Sequence, residues 1–102
     1  MVKKKLPEIR WAQSAETSLR KAYQHIKETS VVNAENVKKT IIGMIDKLPE
    51  NPQRYAVDKF KRNNPGNYRA FEKYNYRIAY KHTDKEIHIL RIRHVRQEPL
   101  EY

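Results

Sequence analysis

The chain has 102 residues, enough for one domain with one core, and its formal net charge of +10 is large for that length. So large a positive excess favours a polyanionic partner, either nucleic acid or an acidic protein. The absence of cysteine excludes disulfide scaffolds, thiolate metal sites and cysteine nucleophiles. With only two glycines, the chain cannot form a glycine-rich phosphate loop. We predict a single domain over residues 1–102.

The chain shows no sign of a secretory signal or a membrane span. Its lysine-rich start is not followed by an apolar run, and no segment approaches the ~20 apolar residues that a spanning helix needs. We therefore expect a cytoplasmic protein. His25, His82 and His88 lack the spacing of metal ligands, and we expect neither a metal nor a cofactor.

The first predicted element is a short strand over Lys5–Arg10, which should lie at a sheet edge or begin late because it contains Pro7. A helix over Ala12–Glu28 follows, with Ser14 as its expected N-cap. Its apolar residues recur at steps of three and four, which is typical of one buried stripe: Ala15, Leu19, Ala22, Tyr23 and Ile26.

A second helix is predicted over Ala34–Leu48, capped by Asn33 and stopped by Pro49. The connection Thr29–Asn33 is short, which indicates an antiparallel helical hairpin. Gly43 lies inside this helix, where glycine costs about 1 kcal/mol relative to alanine. We expect a close contact with the other helix or the sheet to explain it.

A long loop over Asn51–Asn67 precedes three predicted strands, Tyr68–Lys73, Tyr76–His82 and Glu86–His94. Tyr74-Asn75 suits a tight hairpin turn, and short turns between consecutive strands produce an antiparallel meander. The predicted fold is α+β: an N-terminal strand and an antiparallel helical hairpin packed on one face of a small, mostly antiparallel sheet (β-α-α-β-β-β). The other face stays partly open.

Basic residues recur along the three strands with a two-residue period that predicts one shared face: Arg69 and Lys73, Arg77 and Lys81, Arg91 and Arg93. In the last strand, Leu90 and Ile92 are expected to point to the helices instead. Lys61 and Arg62 add charge from the loop. A face of cationic and phenolic groups suits a phosphodiester.

The same region contains residue types that could cleave RNA without a metal. That reaction needs a base for the ribose 2′-hydroxyl, positive charge on the phosphorane and an acid for the departing oxygen. Arginine matches phosphate geometry, and histidine or tyrosine can handle the protons. His94 is the candidate histidine, although a half-exposed packing role is the plainer interpretation.

The ordered motifs resemble the RelE/ParE superfamily of toxins from bacterial type II toxin–antitoxin modules. They are W-x3-A-x3-L from Trp11, L-P-x-N-P over Leu48–Pro52, the strand pair YRAF…NYRIAYKHTDKEIHILRIRH, and R-Q-x-P over Arg96–Pro99. The resemblance covers about Trp11 to Tyr102 and implies the fold predicted above. It also implies a cognate antitoxin that wraps the toxin.

The resemblance implies two possible targets. The RelE branch cleaves mRNA in the ribosomal A site without a metal, and the ParE branch poisons DNA gyrase and is not known as a nuclease. By resemblance to the RelE branch, Arg77 is a phosphate-stabilising arginine, Arg96 a second catalytic arginine, and Tyr102 a tyrosine that stacks on an mRNA base. Phe71 departs from the pattern, because a basic residue is expected there.

The leading hypothesis from the sequence is a toxin that acts as a ribosome-dependent mRNA endoribonuclease and inhibits translation. Arg77 and Arg96 would stabilise the transition state, with His94 or Tyr102 handling the proton or stacking on a base. The predicted nucleic-acid-binding residues are Arg69, Lys61, Arg62, Lys73, Arg91 and Arg93. The alternatives are a gyrase inhibitor without nuclease activity and a non-toxic binding module kept for its antitoxin.

Overall fold

The computed structural model describes residues 5–97 and 101–102. The elements in chain order are strand β1 (Glu8–Trp11), helices α1 (Gln13–Lys27) and α2 (Val31–Asp46), a 3-10 turn at Leu48–Glu50, and strands β2 (Tyr68–Lys73), β3 (Tyr76–His82) and β4 (Glu86–His94). This order confirms the predicted β-α-α-β-β-β arrangement. The bounds of β2, β3 and β4 are those predicted.

The four strands form one sheet in the order β1-β4-β3-β2. The last three form the predicted antiparallel meander, and β1 pairs in parallel with β4, where Ile9 lies opposite Ile87. β1 occupies an edge, as expected, and begins just after Pro7, which lacks the N–H that a ladder requires.

The helix starts differ from the prediction. α1 begins after Ala12 without a side-chain cap, and the hydroxyl of Ser14 instead donates to the carbonyl of Leu90 at 3.5 Å. α2 begins at Val31, three residues early, because the hydroxyl of Ser30 accepts a hydrogen bond from the backbone N–H of Asn33 at 3.1 Å. Ser14 and Asn33 are therefore not caps.

Gly43 does not mark a close contact within α2. A Cβ built at this position would meet nothing within 4 Å, so the predicted explanation is wrong. α2 ends at Asp46, and the chain continues into the 3-10 turn that contains Pro49. Within the described residues, neither helix is long and apolar enough to cross a membrane.

One core lies between the helical hairpin and the sheet, and α1 packs against β4. Its members come from both helices, the 3-10 turn and the three antiparallel strands: Ala15, Leu19, Ala22, Ile41, Ile45, Leu48, Phe71, Tyr76, Ile78, Tyr80, Ile87, Ile89 and Ile92. Burial of these side chains is the main driving force that holds the hairpin on the sheet.

A β-bulge at Leu90 changes which residues of β4 face the helices. Ile89 and Arg91 lie opposite consecutive residues of β3, so Leu90 is the extra residue. Both Ile89 and Ile92 are therefore buried, although they are three residues apart. The expectation that Leu90 and Ile92 share the inner face is wrong for Leu90, because strict alternation does not reveal a bulge.

The hairpin between β2 and β3 turns at Tyr74 and Asn75, as predicted. Their φ angles are 51° and 67°, in the left-handed region that a two-residue type I′ turn requires at both positions. Asparagine adopts this conformation readily, whereas a bulky residue such as tyrosine adopts it at a cost.

The long loop is ordered along the free edge of β2. Val57 forms an isolated antiparallel bridge with Arg69, and the backbone N–H of Asp58 donates to the carbonyl of Tyr68 at 2.8 Å. The side-chain amide of Asn64 donates to the carbonyls of Asp58 and Tyr68, at 3.2 and 2.9 Å. These bonds fix the backbone of Asp58 beside Tyr68, at the start of β2.

Candidate functional site

Asp58 is the centre of a buried polar cluster. The residue is 1% exposed. Its Oδ1 accepts hydrogen bonds from Arg77 Nη2 at 2.9 Å and from the backbone N–H of Phe60 at 3.0 Å, and its Oδ2 accepts one from the hydroxyl of Tyr102 at 2.6 Å. One carboxylate thus joins the loop, strand β3 and the far end of the chain.

The guanidinium of Arg77 is held between two carboxylates. Nη2 binds Asp58 and Nη1 binds Glu72, both at 2.9 Å, and the guanidinium carbon lies 4.7 Å from the ring centroid of Phe60. The side chain is 18% exposed. Arg77 Nε is buried without a hydrogen-bond partner among the described residues. The positive charge of Arg77 is therefore already balanced by carboxylates within the protein.

Tyr102 lies against the loop through its main chain as well as its hydroxyl. Its N–H donates to the carbonyl of Phe60 at 3.0 Å, and its carbonyl accepts from the N–H of Arg62 at 2.7 Å and from Lys61 Nζ at 3.0 Å. The guanidinium carbon of Arg91 lies 4.1 Å from the centroid of the Tyr102 ring. Tyr102 is therefore fixed by three main-chain hydrogen bonds, by its hydroxyl and by its ring.

The electrostatics of the cluster favour one protonation state. Burial alone would raise the pKa of Asp58, but hydrogen bonds from Tyr102, Arg77 and the Phe60 N–H, together with the charge of Arg77, hold that pKa below its usual range. Burial raises the pKa of Tyr102, and so do its hydrogen bond to Asp58 and the negative charge of that carboxylate. The carboxyl is ionised and the phenol protonated at neutral pH.

This arrangement does not poise Tyr102 for proton transfer or base stacking. A phenol whose proton is held by a buried carboxylate is a poor general base, since removal of that proton would place two negative oxygens together. The guanidinium of Arg91 already lies over the ring. The geometry suits a structural clasp that fixes the loop on the sheet.

The outer face of the sheet, away from the helices, carries a cluster of cations and rings. Arg77 lies opposite Arg93, Arg91 lies opposite a buried alanine, and Lys81 lies opposite Tyr68. Opposed residues of antiparallel strands share a face. We call this surface the basic face; it consists of Lys61, Lys81, Arg91 and Arg93 with the rings of Tyr68 and Tyr102.

Arg69 and Lys73 lie on the opposite side of the sheet from the basic face, contrary to the prediction that they share it. They are paired with Tyr80 and Tyr76, both of which point into the core. The two-residue period holds within β2, but it cannot show which side faces the helices. Lys73 Nζ lies 5.0 Å from the ring centroid of Tyr74.

Arg69 has a structural role in attaching the loop. Its Nη1 donates to the carbonyl of Tyr55 at 2.7 Å and that of Gln53 at 3.4 Å, and its Nε donates to His82 Nε2 at 3.2 Å. Burial and the charge of Arg69 lower the pKa of His82. The imidazole therefore stays neutral and can accept this bond.

His94 and Arg96 are not part of the Asp58 cluster. His94 lies opposite Tyr76 on the helix side of the sheet, with the two rings edge-to-face and their centroids 5.2 Å apart. Its Nδ1 accepts from the backbone N–H of Arg96 at 3.0 Å, and the side chain of Arg96 is exposed in the turn after β4. Pro99, the end of the R-Q-x-P motif, lies outside the described residues.

The structure thus brings together two of the four predicted catalytic residues, Arg77 and Tyr102, through Asp58, a residue that the sequence did not single out. Asp58 is one acidic residue in a loop of basic residues, and its two partners are 19 and 44 positions away. No local sequence pattern predicts such long-range contacts. The candidates beside the cluster are Lys61, Arg62, Arg91 and Arg93, whereas Arg69, Lys73, His94 and Arg96 lie elsewhere.

Comparison with known proteins agrees with this fold. A solved structure of a chromosomal ParDE toxin–antitoxin system from P. aeruginosa has a TM-score of 0.68 and 21% sequence identity, over 87% of this chain and 96% of that chain. No curated protein matches this chain. This similarity shows that the two chains share the same α+β fold.

The family described as "ParE toxin of type II toxin-antitoxin system, parDE" matches residues 9–99. The chain belongs to this family and is a ParE-type toxin of a type II toxin–antitoxin system. The resemblance seen in the sequence is thereby confirmed, and a cognate antitoxin is its expected partner.

Proposed function

We propose that this toxin inhibits DNA gyrase and does not cleave mRNA. The observation that carries the proposal is the state of the two groups best suited to RNA cleavage. Arg77 and Tyr102 are both bound to the buried carboxylate of Asp58. Membership of the ParE family favours the same target, since the resemblance to the ParE branch implies gyrase.

Metal-free RNA cleavage requires positive charge aimed at the phosphorane and a group ready to move a proton. Arg77 has its charge opposed by Asp58 and Glu72, and its side chain is mostly buried. His94 lies on the other side of the sheet, and Arg96 extends from a turn beyond β4. These groups do not surround one reacting atom.

Cleavage of ribosome-bound mRNA remains the second candidate, because the basic face could hold a phosphodiester. It would require Tyr102 to leave Asp58 and Arg77 to be released. Breaking a buried, hydrogen-bonded ion pair costs about 3–5 kcal/mol, which reduces an open state to a fraction of roughly one in 150 to one in 5,000. The ribosome would have to supply that free energy.

The antitoxin of such a pair would need a complementary surface on the toxin. A groove of about 430 Å³ runs between the helices and the end of β1 and is lined by Leu19, Tyr23 and Ile42 together with charged residues. A lining that combines apolar and charged side chains suits an amphipathic segment. We propose this groove as one surface for the antitoxin.

Inhibition of supercoiling by the purified toxin tests the proposal. Relaxed plasmid, gyrase and ATP are incubated with increasing toxin, and the topoisomers are separated by electrophoresis. We expect supercoiling to fall with toxin concentration. The Arg96→Ala variant should inhibit equally, because that side chain is exposed in the turn after β4 and lies outside the Asp58 cluster.

Two outcomes would contradict the proposal. Undiminished supercoiling together with mRNA cut on translating ribosomes would support the nuclease hypothesis, above all if Arg96→Ala abolished the cutting. Normal growth on expression of the toxin alone, with both assays negative, would favour a non-toxic binding module.

A further inference from the structure

The cations of the basic face are arranged around two aromatic rings. Lys61 Nζ lies 4.7 Å from the ring centroid of Tyr68 and 5.3 Å from that of Tyr102. Lys81 Nζ lies 5.5 Å from Tyr68, and the Arg91 guanidinium lies 4.1 Å from Tyr102. All are within cation–π range, so the rings help to fix where the positive charges lie.

This arrangement distinguishes between two ways of binding nucleic acid. Single-stranded binders stack bases on exposed aromatic faces. Here Lys61 and Lys81 lie over Tyr68, and Lys61 and Arg91 lie over Tyr102, so cations already occupy the rings. What remains for a partner is positive charge at fixed positions, which suits phosphate oxygens.

Glu86, on this side of the sheet, binds Arg10 and His88, and two further carboxylates are engaged with Arg77. Asp58 is buried against it, and Glu72 binds its other nitrogen. The neighbouring cations disfavour one another: burial lowers the pKa of Arg91, and the charges of Arg93 and Arg77 act in the same direction, although Tyr102 and Asp58 oppose them. An added anion would relieve this repulsion.

The sheet also places charges at regular intervals. Arg91 and Arg93 alternate along β4, so their Cα atoms are about 6.6–6.8 Å apart. Lys81 lies on the neighbouring strand β3, two residues beyond Ala79, which is the partner of Arg91. Lys61 extends the row from the loop. A row of cations over an exposed sheet face can follow a polyanionic backbone without reading its sequence.

We propose that the basic face binds the phosphodiester backbone of duplex DNA, so that the toxin holds the DNA on which gyrase acts. The proposal rests on gyrase inhibition as the toxin's function, because gyrase presents duplex DNA to a bound inhibitor. Lys61 and Lys81 contribute the principal phosphate contacts. The binding is independent of sequence and sensitive to salt.

Fluorescence anisotropy with a labelled duplex, measured from 50 to 200 mM salt, tests this interaction without gyrase. Two variants remove the same charge from different faces: Lys61→Gln with Lys81→Gln from the basic face, and Lys21→Gln with Lys39→Gln from exposed helix positions. Two lost phosphate contacts should lower the slope of log K against log salt by about 1.8 and weaken binding roughly 60-fold at 0.1 M salt. The helix variant should keep the parent slope.

Lys61 also binds the Tyr102 carbonyl, so replacing it could disturb the fold around Asp58 as well as remove a charge. The single variant Lys81→Gln removes a charge from the basic face without touching that contact. It should lower the slope by about 0.9. If both double variants lost duplex affinity equally, the proposal would be overturned, because binding would then depend on positive charge anywhere on the surface and not on the basic face. Tighter binding of single-stranded RNA than of the duplex would also overturn it.

The supercoiling assay separates this inference from the proposed function. If duplex binding is lost in the basic-face variant while gyrase inhibition by that variant is unchanged, the DNA contact is not part of inhibition and the inference fails alone. If the parent binds duplex but leaves gyrase active, the gyrase function fails.

Discussion

Replacing Asp58 with alanine tests whether the cluster holds the fold together. The side chain is fully buried and accepts hydrogen bonds from Arg77, Tyr102 and the Phe60 N–H. Breaking a buried pair by removing one partner costs about 3–5 kcal/mol, because a charge is left uncompensated. Arg77 would keep Glu72 and slight exposure, so we expect about 3 kcal/mol.

Glu72 provides a matched control on the same guanidinium. Both carboxylates lie 2.9 Å from Arg77, but the Glu72 side chain is 52% exposed. An exposed pair is worth about 0.2–1 kcal/mol, because water screens it and competes for its partners. Glu72→Ala should therefore cost less than about 1 kcal/mol, so that burial, and not distance, separates the two variants.

Urea denaturation followed by far-ultraviolet circular dichroism measures both losses. The dependence of the unfolding free energy on urea should stay constant, so that shifts in midpoint report stability. Equal losses for Asp58→Ala and Glu72→Ala, or a loss below about 1 kcal/mol for Asp58→Ala, would refute the reasoning. The cluster would then be incidental to the fold.

The remaining predictions concern other parts of the fold. The difference in unfolding free energy between the parent and Asp58→Ala should shrink as pH falls below about 5. The pKa of Asp58 is lower in the folded than in the unfolded chain, so its stabilising effect is complete above the unfolded value near 3.9 and is lost as the folded carboxylate becomes protonated. A difference that stays constant from pH 6 to 3 would contradict this. Tyr102→Phe should cost about 1.5 kcal/mol in the urea titration, as one hydrogen bond to a charged group is lost, and a neutral result would count against the clasp. Gly43→Ala should stabilise α2 by about 0.5–1 kcal/mol and raise Tm, because the new methyl meets no neighbour; a lower Tm would indicate a hidden contact. Arg69→Ala should free the carbonyl of Tyr55 and speed limited proteolysis between residues 51 and 57, and an unchanged cleavage rate would mean that the loop is held without it.

The order of elements could be predicted because each depends on local signals. The apolar stripe of α1, the proline after α2 and the turn at Tyr74-Asn75 act within a few residues of chain. The N-cap of α2 was harder to predict, because Ser30 and Asn33 are both good capping residues and the sequence does not show which one precedes the first turn.

The site was less predictable because it depends on distant contacts and on sheet geometry. The bulge at Leu90 shifts the alternation in β4, and the side of the sheet that Arg69 occupies is decided by packing against the helices. Asp58 reaches Arg77 and Tyr102 only after the loop has folded along β2. Composition correctly indicated a basic surface, but not which basic residues were already paired.

Primer extension on mRNA tests the central claim most directly. A translation reaction is supplied with the toxin at a concentration that stops gyrase supercoiling, and the 5′ ends of the message are mapped. We predict full-length transcripts only, because Arg77 and Tyr102 remain bound to Asp58. New ends within the reading frame, absent with Arg77→Ala or Arg96→Ala, would contradict the account.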